Sequence, residues 1–139
     1  MDNNKHLVFV YGTLRRGGVR ALPGLFPGAK FVGAARVSGR LYDLGAYPAL
    51  LLEDSDSSVV GEVYEVDDEI LHGLDEYEAT ADYRRQQVEV SLGQRAQTCW
   101  VYAPDPESYP RRGLIKSGDW IEHARTKTER PEGAPPDEA

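Results

Sequence analysis

A chain of 139 residues holds one hydrophobic core and leaves no room for a second catalytic domain. Its 16 Lys and Arg stand against 23 Asp and Glu, and a net charge of -7 argues against nucleic acid and anionic membranes, since Arg15-Arg16, Arg84-Arg85 and Arg111-Arg112 are isolated pairs. With 40% apolar and 28% charged residues, and no apolar run near the ~18 residues of a membrane span, the composition is that of an ordinary globular protein.

The start, "MDNNKHLVFV", lacks a basic region leading into a long apolar stretch, so no secretory signal is expected and the protein is expected to be cytoplasmic. "HLVFVYG" reads as a strand ending at Gly12. The following turn, Gly12 to Gly17, has the spacing of a phosphate loop, but Gly18 and Val19 stand where such a loop needs Lys and Ser or Thr. A nucleotide site is therefore excluded. What remains is a strand stopping at a glycine able to take positive φ, which leaves successive backbone N–H groups without ladder partners. Such donors form a concave nest for a carboxylate or an oxyanion; the alternative is an ordinary turn. Arg15 and Arg16 lie on no predicted buried face and are expected to be solvated, with positive potential toward a bound carboxylate as their alternative role.

"FVGAARV", "GRLYDLG" and "YPALLLE" follow as short strands, and "SSVVGEVYEV" alternates as a half-buried strand does. Tyr42, Asp43 and Tyr47 either border a pocket or serve turn and barrel packing, and they stay outside the candidate site. "DDEILHGLDEYEA" is the one clear helix, with Asp67 or Asp68 as N-cap and acidic residues in its first turn. Ile70, Leu71, Leu74 and Tyr77 define its core face, and Glu78 projects from that same face. Asp68, Asp75, Glu69 and Glu76 belong to the solvated side. A carboxylate on an apolar face is costly, and burial and the helix C-terminus both push its pKa upward, which makes Glu78 a better base. The alternatives are that Glu78 bends outward as the helix frays, or pairs with Arg84 or Arg85.

"QQVEVSL" and "AQTCWVYA" complete the strands; Cys99, the only cysteine, is expected to be a buried small hydrophobe, and Trp100 and Trp120 core or rim aromatics. "ERPEGAPPDEA" is expected to be a disordered acidic tail over 129–139, behind one domain over 1–128. The elements predict an α+β fold dominated by a mostly antiparallel, barrel-like sheet.

In order along the chain, "VYGTLRRGG", "GRLYDLGAYPAL", "GEVYEV", "LDEYEA" followed by "YRR", and "SGDW" resemble the gamma-glutamylcyclotransferase-like superfamily, to about Trp120. The resemblance implies a compact β-barrel with a few flanking helices, and release of 5-oxoproline and a free amine from a γ-glutamyl amine or γ-glutamyl amino acid. It assigns the γ-glutamyl group to the backbone of Tyr11, Gly12, Thr13 and Leu14, the general acid/base role to Glu78, and a pocket wall to Tyr83. Many members have glycine after the glutamate, where this chain has Ala79, an alanine expected to restrict the turn.

In that chemistry the substrate's own α-amine attacks its γ-carbonyl, so no cofactor, metal or nucleophilic side chain is required, in keeping with His6, His72 and His123 forming no recognisable ligand cluster. An ordinary Glu (pKa ~4.3) faces an α-ammonium (~8), a gap of about 5 kcal/mol; raising it to ~6 removes about 2 kcal/mol. The expected partner is a small γ-glutamyl molecule, with no nucleic acid and no membrane; the sequence carries no signal for an oligomeric state. A non-catalytic binding protein on the same fold, and a hydrolase using Glu78 to activate water, are the alternatives.

Overall fold

Strands whose two faces are both covered need apolar residues at consecutive positions, and the N-terminal strand meets that condition. Strand β1 (Lys5–Val10) directs Phe9 into one apolar cluster and Val8 and Val10 into another. The computed structural model describes residues 4–18 and 21–128, and the segment 129–139 expected to be disordered lies outside them. The remaining elements are α1 (Leu22–Leu25), β2 (Lys30–Asp43), β3 (Pro48–Leu52), β4 (Ser58–Asp67), α2 (Asp68–Ala79), β5 (Arg84–Leu92), β6 (Arg95–Ala103) and α3 (Trp120–Thr128).

Five strands close on themselves in the order β2-β4-β1-β6-β5, and β3 lies outside, against the second half of β2. All pairings are antiparallel except β1 with β6, which run parallel through Val8↔Trp100 and Phe9↔Val101. The ring closes between β2 and β5 at Ala35↔Leu92 and Arg36↔Ser91. The expected α+β barrel with flanking helices is the fold observed.

The segments expected as two strands, 31–37 and 39–45, form the single long β2. Its partner changes from β4 to β3 at Gly39, whose φ is 153° and where a Cβ would stand 2.4 Å from the Leu51 carbonyl oxygen. Only glycine fits that crossing. Inside the barrel, Phe9, Val37, Val59, Val63, Val90, Cys99 and Val101 fill the core; burial pushes the Cys99 thiol up to about 11, as befits an inert core residue. Outside it, Leu71 and Leu74 of α2 pack on Val8, Val10, Tyr64 and Val66. That packing lays the helix along β1, with Asp68 paired to His6 near the start of the strand and Glu78 on the cavity that Tyr11 lines beyond its end.

Candidate active site

The turn after β1 is built on a close approach rather than on a left-handed residue. Gly12 lacks the expected positive φ, which falls instead on Gly17 at 84°. A Cβ on Gly12 would lie 2.8 Å from Pro48 Cγ, so the turn presses directly on the start of β3. The Arg15 N–H donates to the Gly12 carbonyl at 3.0 Å and the Gly18 N–H to the Arg15 carbonyl at 2.8 Å. Among the described residues the N–H groups of Gly12, Thr13 and Leu14 donate to no protein acceptor.

Arg15 is buried, not solvated. Its guanidinium donates to Glu62 at 2.9 Å and to Asp119 at 2.8 Å, and Glu62 also accepts the Arg16 N–H at 2.9 Å. The arginine pins the turn to β4 and to the start of α3.

Helix α2 starts as its sequence demands, the Asp67 carboxylate accepting the Ile70 N–H at 2.9 Å. At its other end the Glu78 carbonyl accepts from the Ala81 and Tyr83 N–H groups, each at 3.1 Å. The left-handed residue of this exit is Asp82, φ 63°, so Ala79 stays helical and meets no conformational restriction. The chain reverses within four residues and delivers Tyr83 beside Glu78.

Turn and helix end face one cavity of about 420 Å³. Tyr11, Gly12, Thr13, Leu14, Glu78 and Tyr83 all line it. Among the described residues the Glu78 carboxylate has no hydrogen-bond or ion-pair partner, and burial raises its pKa to about 7. The Tyr11 hydroxyl is held well above its ordinary value by burial first, then by Tyr83 and Glu78. The phenols are anchored to other residues of the cavity wall: Tyr11 donates to the Tyr102 carbonyl, and Tyr83 to the Pro48 carbonyl, both at 2.7 Å.

Tyr47, Pro48, Tyr77 and Tyr102 line the cavity too and had not been assigned to it. Tyr102 sits in an apolar strand that reads as core, and Tyr77 in the helix face that reads as core. Tyr47 packs edge-on against Tyr83 with ring centroids 5.7 Å apart, a contact no local pattern announces. Asp75 is not on the solvated side: it accepts Arg85 Nε at 2.9 Å and Nη2 at 3.1 Å, and the Tyr102 hydroxyl at 2.7 Å. Arg85 thus pairs with Asp75 rather than with Glu78. The histidines sit in separate pairs, His6 with Asp68, His72 with Glu76 and His123 with Asp43, and no group of three metal-binding side chains occurs among the described residues.

The family described as "Gamma-glutamyl cyclotransferase, AIG2-like" matches residues 8–122. A candidate gamma-glutamylcyclotransferase of Vibrio cholerae serotype O1 is 40% identical over 121 residues, covering 85% of this chain and 97% of that one. The "Gamma-glutamylaminecyclotransferase" of Bos taurus is 38% identical over 109 residues, 68% of this chain and 63% of its own. Among solved structures, an AIG2-like protein from Mus musculus superposes with a TM-score of 0.73 at 28% identity, over 94% of this chain and 93% of that one. YkqA from Bacillus subtilis superposes with a TM-score of 0.76 at 29% identity, over 91% of this chain but only 44% of that longer one.

Proposed function

The chain belongs to the gamma-glutamyl cyclotransferase, AIG2-like, family, and from that premise we propose that it releases 5-oxoproline and a free amine from a γ-glutamyl amine or γ-glutamyl amino acid, with Glu78 as general acid/base. One observation carries the proposal. Among the described residues, a carboxyl without a hydrogen-bond or ion-pair partner, its pKa raised to about 7, shares a cavity with a turn whose N–H groups have no protein acceptor.

Each part answers a demand of the reaction. The N–H groups of Gly12, Thr13 and Leu14 hold the γ-glutamyl group and donate to the oxyanion that forms at its γ-carbonyl. The cavity walls fold the substrate so that its α-nitrogen approaches that carbonyl carbon. Glu78 takes a proton from the α-ammonium, and the freed amine forms the new C–N bond of a five-membered lactam. The same proton then passes from Glu78 to the leaving nitrogen as the original amide bond breaks, and the second proton that the ring nitrogen sheds in becoming the lactam N–H ends on the released amine, which leaves as its ammonium. A carboxyl at about 7 facing an α-ammonium near ~8 leaves a gap of roughly 1.4 kcal/mol in place of about 5.

The test is product identification by mass after incubation with a panel of γ-glutamyl amines and γ-glutamyl dipeptides; the name of the Bos taurus relative puts the amines first. The expected result is 5-oxoproline, abolished in Glu78→Gln and retained in the exposed-face control Glu76→Gln. Free glutamate would instead identify a hydrolase, and binding without turnover a non-catalytic module.

A further inference from the structure

Tyr83 and Tyr102 are walls of two spaces at once. One side of this wall is the cavity containing Glu78; the other is a shallower recess of about 430 Å³ lined by Asp75, Arg84, Arg85 and Trp100. A cation therefore stands across the wall from the carboxyl, one strand position from the surface-exposed Arg84. The Tyr102 hydroxyl registers this arrangement: burial, then the hydrogen bond and charge of Asp75, raise its pKa, Arg85 lowers it and Glu78 raises it further. Guanidinium and Glu78 thus act on the same phenol.

Asp75 takes Arg85 at two points, and the guanidinium also lies flat on Trp100, 4.3 Å from the ring centroid. We infer that Asp75 is a positioning residue for the reaction: by binding and neutralising Arg85 it keeps that cation from pairing with or charging the environment of Glu78. The inference rests on Glu78 being the general base proposed above. Asp75 and Glu78 are three residues apart on one helix, neighbouring positions of its surface, and Arg85 is paired with the first of them.

The other groups around Glu78 cannot substitute for this. The turn presents Tyr11, the helix exit Tyr83 and β6 Tyr102, phenols whose pKa burial holds above the ordinary value, and α2 itself presents Tyr77; Arg84 and Arg85 on β5 are the cations of the neighbouring recess. The cause of the raised value at Glu78 is burial alone. An unmatched cation beside a carboxyl favours its ionised form and lowers its pKa by about one unit or more, which makes a weaker base.

The experiment is a carbon-13 titration of the Glu78 carboxyl in the full chain, in wild type, Asp75→Asn, Arg85→Gln and the double variant. Asparagine keeps an acceptor for the Tyr102 hydroxyl while removing the charge. Asp75→Asn is expected to shift the Glu78 midpoint down by about one unit, and adding Arg85→Gln to return it. Arg85→Gln alone, which leaves Asp75 unmatched, is expected to move it up and serves also if Asp75→Asn does not fold. In kinetics, Asp75→Asn is expected to lower kcat about three- to tenfold and move the acid limb of the pH profile down, with Asp75→Glu restoring both. An unmoved midpoint in Asp75→Asn, a fall that persists in the double variant, or no rise in Arg85→Gln would overturn the inference. The titration needs no substrate, so failure to form 5-oxoproline would strike the proposed activity and leave this coupling to be judged by itself.

Discussion

Tyr83 is bonded to both sides of the cavity at once: its N–H donates to the carbonyl of Glu78 at 3.1 Å while its hydroxyl donates to the carbonyl of Pro48 at 2.7 Å. Pro48 in turn is the residue against which Gly12 rests. Tyr83→Phe is expected to destabilise the fold by about 1–2 kcal/mol, because the Pro48 carbonyl is left buried without a donor. Its KM is expected to rise more than its kcat falls, since Glu78 itself is untouched. Thermal melting with steady-state kinetics checks both; an unchanged melting temperature would refute the strut.

With Glu78 as the proposed base, activity and stability are expected to respond to pH in opposite directions. Its folded pKa of about 7 lies above its unfolded value near 4.5, so the native state binds the extra proton between those two pH values. Stability from this group is complete below about pH 4.5 and is lost as pH rises through 7, a cost of about 3 kcal/mol on the alkaline side. Glu78→Gln is therefore expected to be more stable than wild type at pH 8 in urea denaturation, and inactive. In wild type, kcat/KM is expected to climb through an apparent pKa near 7 as the base ionises.

Gly12→Ala is expected to reduce kcat/KM at least tenfold. The added methyl would meet Pro48 Cγ at 2.8 Å and Cδ at 2.9 Å, and the ring cannot yield without carrying its carbonyl away from Tyr83. Overpacking of this kind costs about 1–3 kcal/mol. A variant with normal melting and normal kinetics would show that turn and strand move apart freely.

Arg15→Met is expected to lose about 3–5 kcal/mol in urea denaturation, since the buried Glu62 side chain loses its guanidinium partner and keeps, among the described residues, the Arg16 N–H as its one donor. Adding Glu62→Gln is expected to recover a large part of that loss. Additive effects of the two substitutions would contradict a coupled pair.

All six strands, β2 as two segments, and the principal helix were legible because each writes its own period into consecutive residues, and Glu78 stood out on the helix's apolar face, four residues after Leu74 and seven after Leu71. Features set by distant partners were not. Arg15 looked solvated because its two carboxylates lie 47 and 104 residues further along the chain. Asp75 shares a spacing with Asp68, yet only the docking of β5 and β6 decides which flank of α2 is covered. Helix α3 lacks a broad apolar stripe and is fastened by Asp119, by His123 and by Lys127, whose ammonium reaches Asp43 at 3.0 Å. The barrel itself was expected, but which strands close it was not, since both β2 and β5 read as strands whichever neighbour they take.

The parallel pairing of the first strand with the last has a bearing on how the molecule comes into being. Val8 finds Trp100 only after nearly the whole domain has been synthesised, and such far-reaching contacts are slow to form. Until then the first strand can associate with β4, but Tyr102, which receives the Tyr11 hydroxyl, has yet to arrive. During biogenesis the capacity to bind a small guest should therefore emerge in one late step, together with the cooperative fold.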